Sequence, residues 1–243
     1  DREFSAEKHP SSLAHHCVAY RAHVRCKVAC FRIAQGDADS APLARRYHEL
    51  TLDHLERARL RVVLVGGGPG AGKTTLATGL GAYFGFPVLA SDEIRKDLTH
   101  TPRDEHRFAA PGQGIYDAAT TASAYDELRR EAELIVRAGS GVVLDATWTR
   151  DADRRAVRLM ADELGAEIVE VECRVAPEIA RARIGRRLTS PTNTSDATPE
   201  LVDYLAGQRE PWPEAVVIDT EPRVEQVTAA AVSAIARRPV GRP

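Results

Sequence analysis

Nine residues constrain this chain more than anything else in it: Gly67-Gly68-Pro69-Gly70-Ala71-Gly72-Lys73-Thr74-Thr75. They fit the spacing G-x-x-x-x-G-K-[ST] and follow directly on the apolar run Val62-Val63-Leu64-Val65. Glycines in such a loop let the backbone close around phosphate oxygens with its N–H groups turned inward. A helix that starts at the lysine adds the positive end of its dipole. Lys73 then reaches the β- and γ-phosphates, and the Thr74 hydroxyl is placed to ligate Mg²⁺. Lysine is scarce here: of 33 basic residues only Lys8, Lys27, Lys73 and Lys96 are lysines, so one in this register stands out. The expectation is a nucleotide site cradled by residues 67–75.

From Arg61 onward short apolar runs alternate with helical patterns. Strands are predicted at 62–65, 87–90, 141–144, 167–171 and 215–218, and helices at about 73–83, 92–98, 118–138, 151–164, 176–188 and 223–237. That alternation predicts an α/β domain over residues 60–243 with a five-stranded parallel sheet and helices on both faces. Ligands in such folds bind at the carboxyl ends of the strands. Residues 1–59 read differently, as a short helical segment. Ala14, Cys17, Val18, Tyr20, Val24, Val28 and Phe31 recur at three- and four-residue steps, Gly36-Asp37 closes that helix, and a second runs from about Pro42 to Arg57.

Three further groups of residues fall at the strand ends. Ser91-Asp92-Glu93-Ile94-Arg95-Lys96 follows the second strand, with Asp92 and Arg95 one helical turn apart. A carboxylate there suits a base taking the proton of an attacking hydroxyl, and a guanidinium suits the acceptor or the transferring phosphoryl group. The same residues also read as a helix cap with an exposed arginine. Val143-Leu144-Asp145 is an apolar strand ending in aspartate, the pattern of a carboxylate that holds Mg²⁺, often through water, or else of a turn residue. Thr147, Arg150 and Arg154 come after it and are expected to shape the acceptor side. Arg181, Arg183, Arg186 and Arg187 precede the polar stretch 189–199, a candidate mobile lid; Arg183 and Arg187 share a helix face and could neutralise developing charge, or the cluster is a solvated face.

Taken together, Gly67 to Thr75, Ser91-Asp92-x-x-Arg95-Lys96, residues 143–147, Arg183-x-x-x-Arg187 and Ser195-Asp196-Ala197 resemble the small P-loop kinases, the group of polynucleotide-kinase, gluconate-kinase and zeta-toxin relatives often labelled AAA-family ATPases. The resemblance covers 61–220. It implies a three-layer P-loop NTPase fold, ATP and Mg²⁺ as cofactors, and transfer of the γ-phosphoryl group to a hydroxyl. In polynucleotide kinases the aspartate and arginine matching Asp92 and Arg95 are the general base and an acceptor-side arginine. Residues 19–30 resemble the end of an aminoglycoside-phosphotransferase-like domain, a looser likeness over 11–58. It implies that residues 1–59 close such a domain and that its front part is a partner in the same protein. Gln35-Gly36-Asp37 is not the His-Gly-Asp loop of that chemistry, because it closes a helix.

Composition bounds the acceptor and the setting. A net charge of −2 excludes a generally basic nucleic-acid binder. Residues 99–121, with Arg103, His106, Arg107, Gln113 and Tyr116, are polar and lack the aromatic and basic interleaving of a single-strand groove, so a small polar acceptor is expected and a nucleic acid is not. The alternatives are a 5′-hydroxyl polynucleotide kinase and a nucleotide-sensing module that regulates the attached domain. Trp212 is expected to pack at a domain edge. No apolar stretch is long enough to span a membrane and the charged start Asp1-Arg2-Glu3 has no signal core, so a cytoplasmic protein is expected. The only methionine is Met160, so the sequence is expected to be a piece of something longer. Cys17, Cys26, Cys30 and Cys173 lack paired metal-site spacing, and Cys26 and Cys30 are expected to pack as small residues on a helix face; the six histidines before residue 60 are expected on the surface.

Overall fold

The computed structural model describes residues 9–102, 117–188 and 207–236. They form two compact units, residues 1–60 with 137–140, and 61–136 with 141–243.

The first unit is a helix pair. α1 spans Ser11–Ala34 and α2 spans Ala41–Arg57, joined through one 3-10 turn at Ala38–Ser40. Gly36, at φ +98°, ends α1 in a left-handed turn in which the Asp37 N–H donates to the Arg32 carbonyl at 3.0 Å. Pro42 lies in the first turn of α2, where its missing N–H costs nothing. The face that α1 buries is not the one its bulky residues predict. Ala19, Ala22 and Ala29 are buried, whereas Val18, Tyr20, Val24, Val28 and Phe31 are exposed. Small side chains let two helix backbones approach closely, and Ala44 and Thr51 of α2 are buried in turn. Cys26 lies near this seam, its thiol donating to the Ala44 carbonyl at 3.3 Å, but Cys30 is exposed, which corrects its expected packing.

Two histidines meet across the pair, His15 Nδ1 lying 3.0 Å from His54 Nδ1. Burial first, and then His54 and Arg57, hold the His15 imidazole below its ordinary value, with Asp53 opposing. The folded pair therefore protonates His15 at a lower pH than the unfolded chain, which takes up its proton below about pH 6.5. Helix-pair stability is full above that pH and falls as the solution is acidified. We expect the protection factors of the α1 amides, which correct exchange for its intrinsic pH dependence, to fall between about pH 7 and pH 5.5, and His15→Gln to flatten that fall; a variant with the same protection profile would contradict it.

The second unit begins with β1 (Arg61–Gly67), all seven residues of which are buried. Then come α3 (Lys73–Phe84), β2 (Val88–Ala90), α4 (Ser91–Leu98), α5 (Ala118–Arg137), β3 (Val142–Asp145), α6 (Asp151–Glu163), β4 (Glu167–Arg174), α7 (Pro177–Leu188), β5 (Val216–Asp219) and α8 (Val224–Ala236). The five strands are parallel, in the order β2-β3-β1-β4-β5. This is the α/β fold expected from the alternation. Central strands buried on both faces read as continuous apolar runs, as β1 does. On one face Val63, Val65, Val143, Val169 and Val171 pack with Leu76 and Leu80 of α3 and with Val227, Ala231 and Ile235 of α8. Side chains alternate along a strand, so Glu170 and Glu172 share the other face of β4, both buried. Glu170 accepts from Arg158 of α6 at 2.7 and 2.8 Å, and Glu172 from Arg174 and Arg209 at 2.8 and 2.6 Å. Among the described residues no helix is long and apolar enough to cross a membrane.

Strand register aligns one edge of the sheet. Asp145 pairs in register with Val65 on one side and with Ala90 on the other, and Gly67 pairs with Cys173. The carboxyl ends of β1, β2 and β3 are therefore level.

Candidate active site

The loop between β1 and α3 takes the shape its glycines permit. Gly70 sits at φ +72° and Gly72, which precedes the first turn of α3, at φ +86°. A Cβ on Gly70 would lie 2.5 Å from the Ala180 carbonyl oxygen, so both backbone angle and space demand glycine there. The Lys73 ammonium donates to the Gly68 carbonyl at 3.0 Å, which holds it against the inner wall of the loop.

Asp145 lies next to this lysine and is 5% exposed. Burial raises its carboxyl above the ordinary value, while Lys73 and a hydrogen bond with Thr74 draw it down and Asp92 and Glu93 push it up. Thr74 and Asp145 are thus brought together as the sequence predicts. The pair fits Mg²⁺: a buried carboxylate with a hydroxyl beside it, in a place where burial makes its negative charge costly and a cation offsets that cost. Glu93, which no motif singles out, belongs to the same carboxylate neighbourhood.

Asp92 and Arg95 form an ion pair, Oδ1 to Nη1 at 2.6 Å. The carboxylate is half exposed and the guanidinium is buried, at 50% and 7%. α4 has no side-chain cap, and Asp92 lies within its first turn, so the capping alternative does not describe this structure. Because Ala90 is level with Asp145, Asp92 opens α4 on the same edge as the phosphate loop.

Arg183 is placed beside the loop. Its Nη2 donates to the Thr220 carbonyl at 2.6 Å and its Nη1 lies 3.4 Å from the Gly70 carbonyl. The Thr220 hydroxyl donates to the Ala71 carbonyl at 2.7 Å and so ties the end of β5 to the loop. Nothing in the motifs singled out Thr220; its position just past a strand's carboxyl end was the available signal. Arg187 lies one turn further along α7, with its side chain outside the described residues, as are residues 103–116 and the stretch 189–199 with Ser195-Asp196-Ala197.

Two clefts flank the loop. One, of about 230 Å³, is walled by Thr75, Leu76, Arg183, Thr220, Pro222 and Val224. The other, of about 200 Å³, opens on Gly68, Pro69, Thr147, Thr149, Arg174 and Arg209. Cys173 also lines the second, with its thiol pushed up by burial to about 12 and hence unreactive at neutral pH.

A buried scaffold stands behind the first loop glycines. Trp148 has φ +51°, unusual for a bulky residue, and is held there from three sides. Its N–H donates to the Tyr125 hydroxyl at 3.1 Å, its indole to the Leu144 carbonyl at 3.3 Å, and its carbonyl accepts from Arg154 at 2.8 Å. Trp212 stacks beneath Arg154, donates to Glu170 and presses on Gly66, so it is a packed residue as expected. Arg154 is fully buried in this scaffold, which corrects its expected acceptor-side place. Thr147 bonds to Tyr125 at 3.0 Å, and Arg150 pairs with Asp153 at the surface.

The profile of a family described as an AAA domain matches residues 62–212. Uncharacterised proteins of Mycobacterium tuberculosis and Mycobacterium bovis are each 35% identical over 216 residues, covering 89% of this chain and 43% of their own length. The chain therefore spans less than half the length of these curated relatives. Among solved structures, a gluconokinase from Sinorhizobium meliloti is 14% identical with a TM-score of 0.52, over 74% of this chain and 92% of that one. The Mycobacterium tuberculosis APS kinase in complex with AMPPNP and APS is 17% identical with a TM-score of 0.54, over 73% and 98%. Chaetomium thermophilum Kti12 in complex with ADP-AlF3 is 17% identical with a TM-score of 0.56, over 74% and 100%. At these identities the likeness is one of fold, that of the P-loop kinases. The family profile, by contrast, runs from β1 to Trp212 and takes in the phosphate loop, the Asp92–Arg95 pair, Asp145 and Arg183, and this chain belongs to that AAA-domain family.

Proposed function

We propose that the chain is an ATP- and Mg²⁺-dependent kinase that transfers the γ-phosphoryl group to a hydroxyl of a small polar acceptor. One observation carries the reading. The phosphate loop with Lys73, the Thr74–Asp145 pair and the Asp92–Arg95 pair lie on one level edge of the sheet, as phosphoryl transfer requires.

In this reading Lys73 and the loop amides of residues 67–75 hold the phosphates, and the cleft between Leu76, Arg183, Pro222 and Val224 takes the base. Thr74 and Asp145 hold Mg²⁺, which when bound offsets the charge of the β- and γ-phosphates. The acceptor hydroxyl oxygen bonds to the γ-phosphorus as the bond to the β-bridging oxygen breaks, ADP leaves, and Asp92 accepts the hydroxyl proton. Arg95, its guanidinium fixed by Asp92, orients the acceptor. Arg183, anchored on Gly70 and Thr220, and Arg187 one turn on, neutralise developing charge. The sequence of residues 99–121, with Arg103, His106, Arg107, Gln113 and Tyr116, supports a small polar acceptor over a nucleic acid.

The test is ADP release with ATP and Mg²⁺, screened across sugars, amino sugars, aminoglycosides, nucleosides and a 5′-hydroxyl oligonucleotide. We expect one small-molecule class to stimulate release, and Lys73→Ala to lower it by about 10²-fold or more. Label appearing on the oligonucleotide alone would replace this reading with a polynucleotide kinase. Tight ATP binding with no stimulation by any acceptor would replace it with a regulatory nucleotide-binding module.

A further inference from the structure

α1 has two apolar faces, and the described residues cover one of them. Ala19, Ala22 and Ala29 are buried against the neighbouring helix. On the opposite side Leu13, Cys17, Tyr20, Val24, Val28 and Phe31 recur at steps of three and four residues over five turns. All are exposed, Tyr20 and Phe31 at 67% and 65%. No charged residue interrupts the stripe, which is about 27 Å long at 1.5 Å per residue. A helix apolar on both sides is a buried helix, and a contiguous exposed patch of this kind marks an interaction surface.

Its edges carry charge of one sign. Arg21, Lys27 and Arg32 flank the stripe, and α1 contains no Asp or Glu. Two copies of α1 placed stripe to stripe would set basic rim against basic rim, which argues against a second copy as the occupant. The curated relatives supply another. Their match covers 89% of this chain, more than residues 61–243 alone can provide, so it runs into the helical unit. More than half of each relative lies outside the match.

We propose that the stripe is the docking face for the additional part of the longer polypeptide that these relatives carry, through an apolar surface rimmed by carboxylates. α1 then acts as a shared wall, with α2 on one side and the additional part on the other. Tyr20 and Phe31 are its large aromatic anchors, because they bury the most area at low side-chain entropy cost.

The experiment uses the Mycobacterium tuberculosis relative cut at the border of the matched segment, and this chain in parallel. The unmatched part, checked for a cooperative melt and co-expressed with each matched part where it lacks one, is combined with each matched part and followed by sedimentation velocity. We expect 1:1 complexes, shielding of the Cys17 thiol of this chain from maleimide, and at least a tenfold weaker Kd for Tyr20→Arg and Phe31→Arg. Val24→Ala, a milder change, should weaken binding less and leave the melting temperature unchanged. Four outcomes overturn the proposal: no complex from either pair, a complex indifferent to both arginine variants, a homodimer of this chain that those variants dissolve, or a lowered melting temperature of the isolated chain in Val24→Ala, which would mean that the stripe is covered within the chain itself.

Discussion

Asp92→Asn should lower phosphoryl transfer by about 10³-fold while leaving the ATP dissociation constant within about twofold, since general-base removal costs 10²–10⁴ in rate. Asparagine is the right replacement because of the Asp92–Arg95 contact at 2.6 Å. Its side-chain carbonyl still accepts a hydrogen bond from the buried guanidinium, so α4 keeps its local geometry, but the amide cannot take a proton at neutral pH. Asp92→Ala would be a poorer test, since it strips a carboxylate from an arginine that is 7% exposed and confounds chemistry with packing. Nucleotide affinity is read by titration with a fluorescent ATP analogue, and the fold by thermal melting. A variant that keeps more than a tenth of the wild-type rate removes Asp92 as the base. A variant that loses ATP binding as well would show instead that the carboxylate acts on the phosphate site, through the field it exerts on Asp145.

The strand–helix alternation was legible because it is local. β1, β2, β3 and β5 lie within a residue or two of the predicted runs. β4 extends to Arg174, beyond the predicted end at Val171, since Glu172 looks like a strand-ending residue until Arg174 and Arg209 are seen to neutralise it. The phosphate loop, Thr74 and Asp145 were legible for another reason: a backbone shape and a strand end dictate them jointly. What could not be read is whatever joins residues far apart in sequence. Tyr125 and Trp148 are 23 residues apart, and Trp212 and Glu170 are 42. Arg154 looked like an acceptor-side cation because arginines after a strand end usually face solvent or ligand, and of its two carbonyl partners Pro211 lies 57 residues away. Periodicity misled at α1, where it weighted Tyr20 and Phe31 over the alanines that allow α2 to approach. A two-sided apolar helix defeats a one-sided reading.

Arg154→Ala should destabilise the second unit by about 3–5 kcal/mol, the cost typical of breaking a buried charged network. The side chain is fully buried. Its two Nη atoms donate to the Trp148 carbonyl at 2.8 Å and the Pro211 carbonyl at 2.7 Å, its plane covers the Trp212 ring at 5.2 Å, and Asp151 lies 3.6 Å away. Truncation orphans both carbonyls and removes the roof of Trp212. Replacing the charge by an isosteric apolar chain is often harmless in buried ion pairs, but here the acceptors are backbone groups that Met cannot satisfy. Arg154→Met should therefore still cost about 2–3 kcal/mol, roughly 1–1.5 for each orphaned carbonyl. Melting temperature would fall by roughly 2–4 °C per kcal/mol in a unit of this size. A functional effect should accompany it. Without Arg154 the Trp148 backbone is released from φ +51°, and Thr147, whose carbonyl lies 3.5 Å from the Gly67 N–H, shifts with it. Nucleotide affinity should then drop although the hydrogen bonds of Arg154 go to Trp148 and Pro211 and not to the phosphate loop. An Arg154→Met protein that melts within about 1 kcal/mol of wild type would show that the two carbonyls find other partners, and that the scaffold behind the loop is held by its tryptophans rather than by the arginine between them.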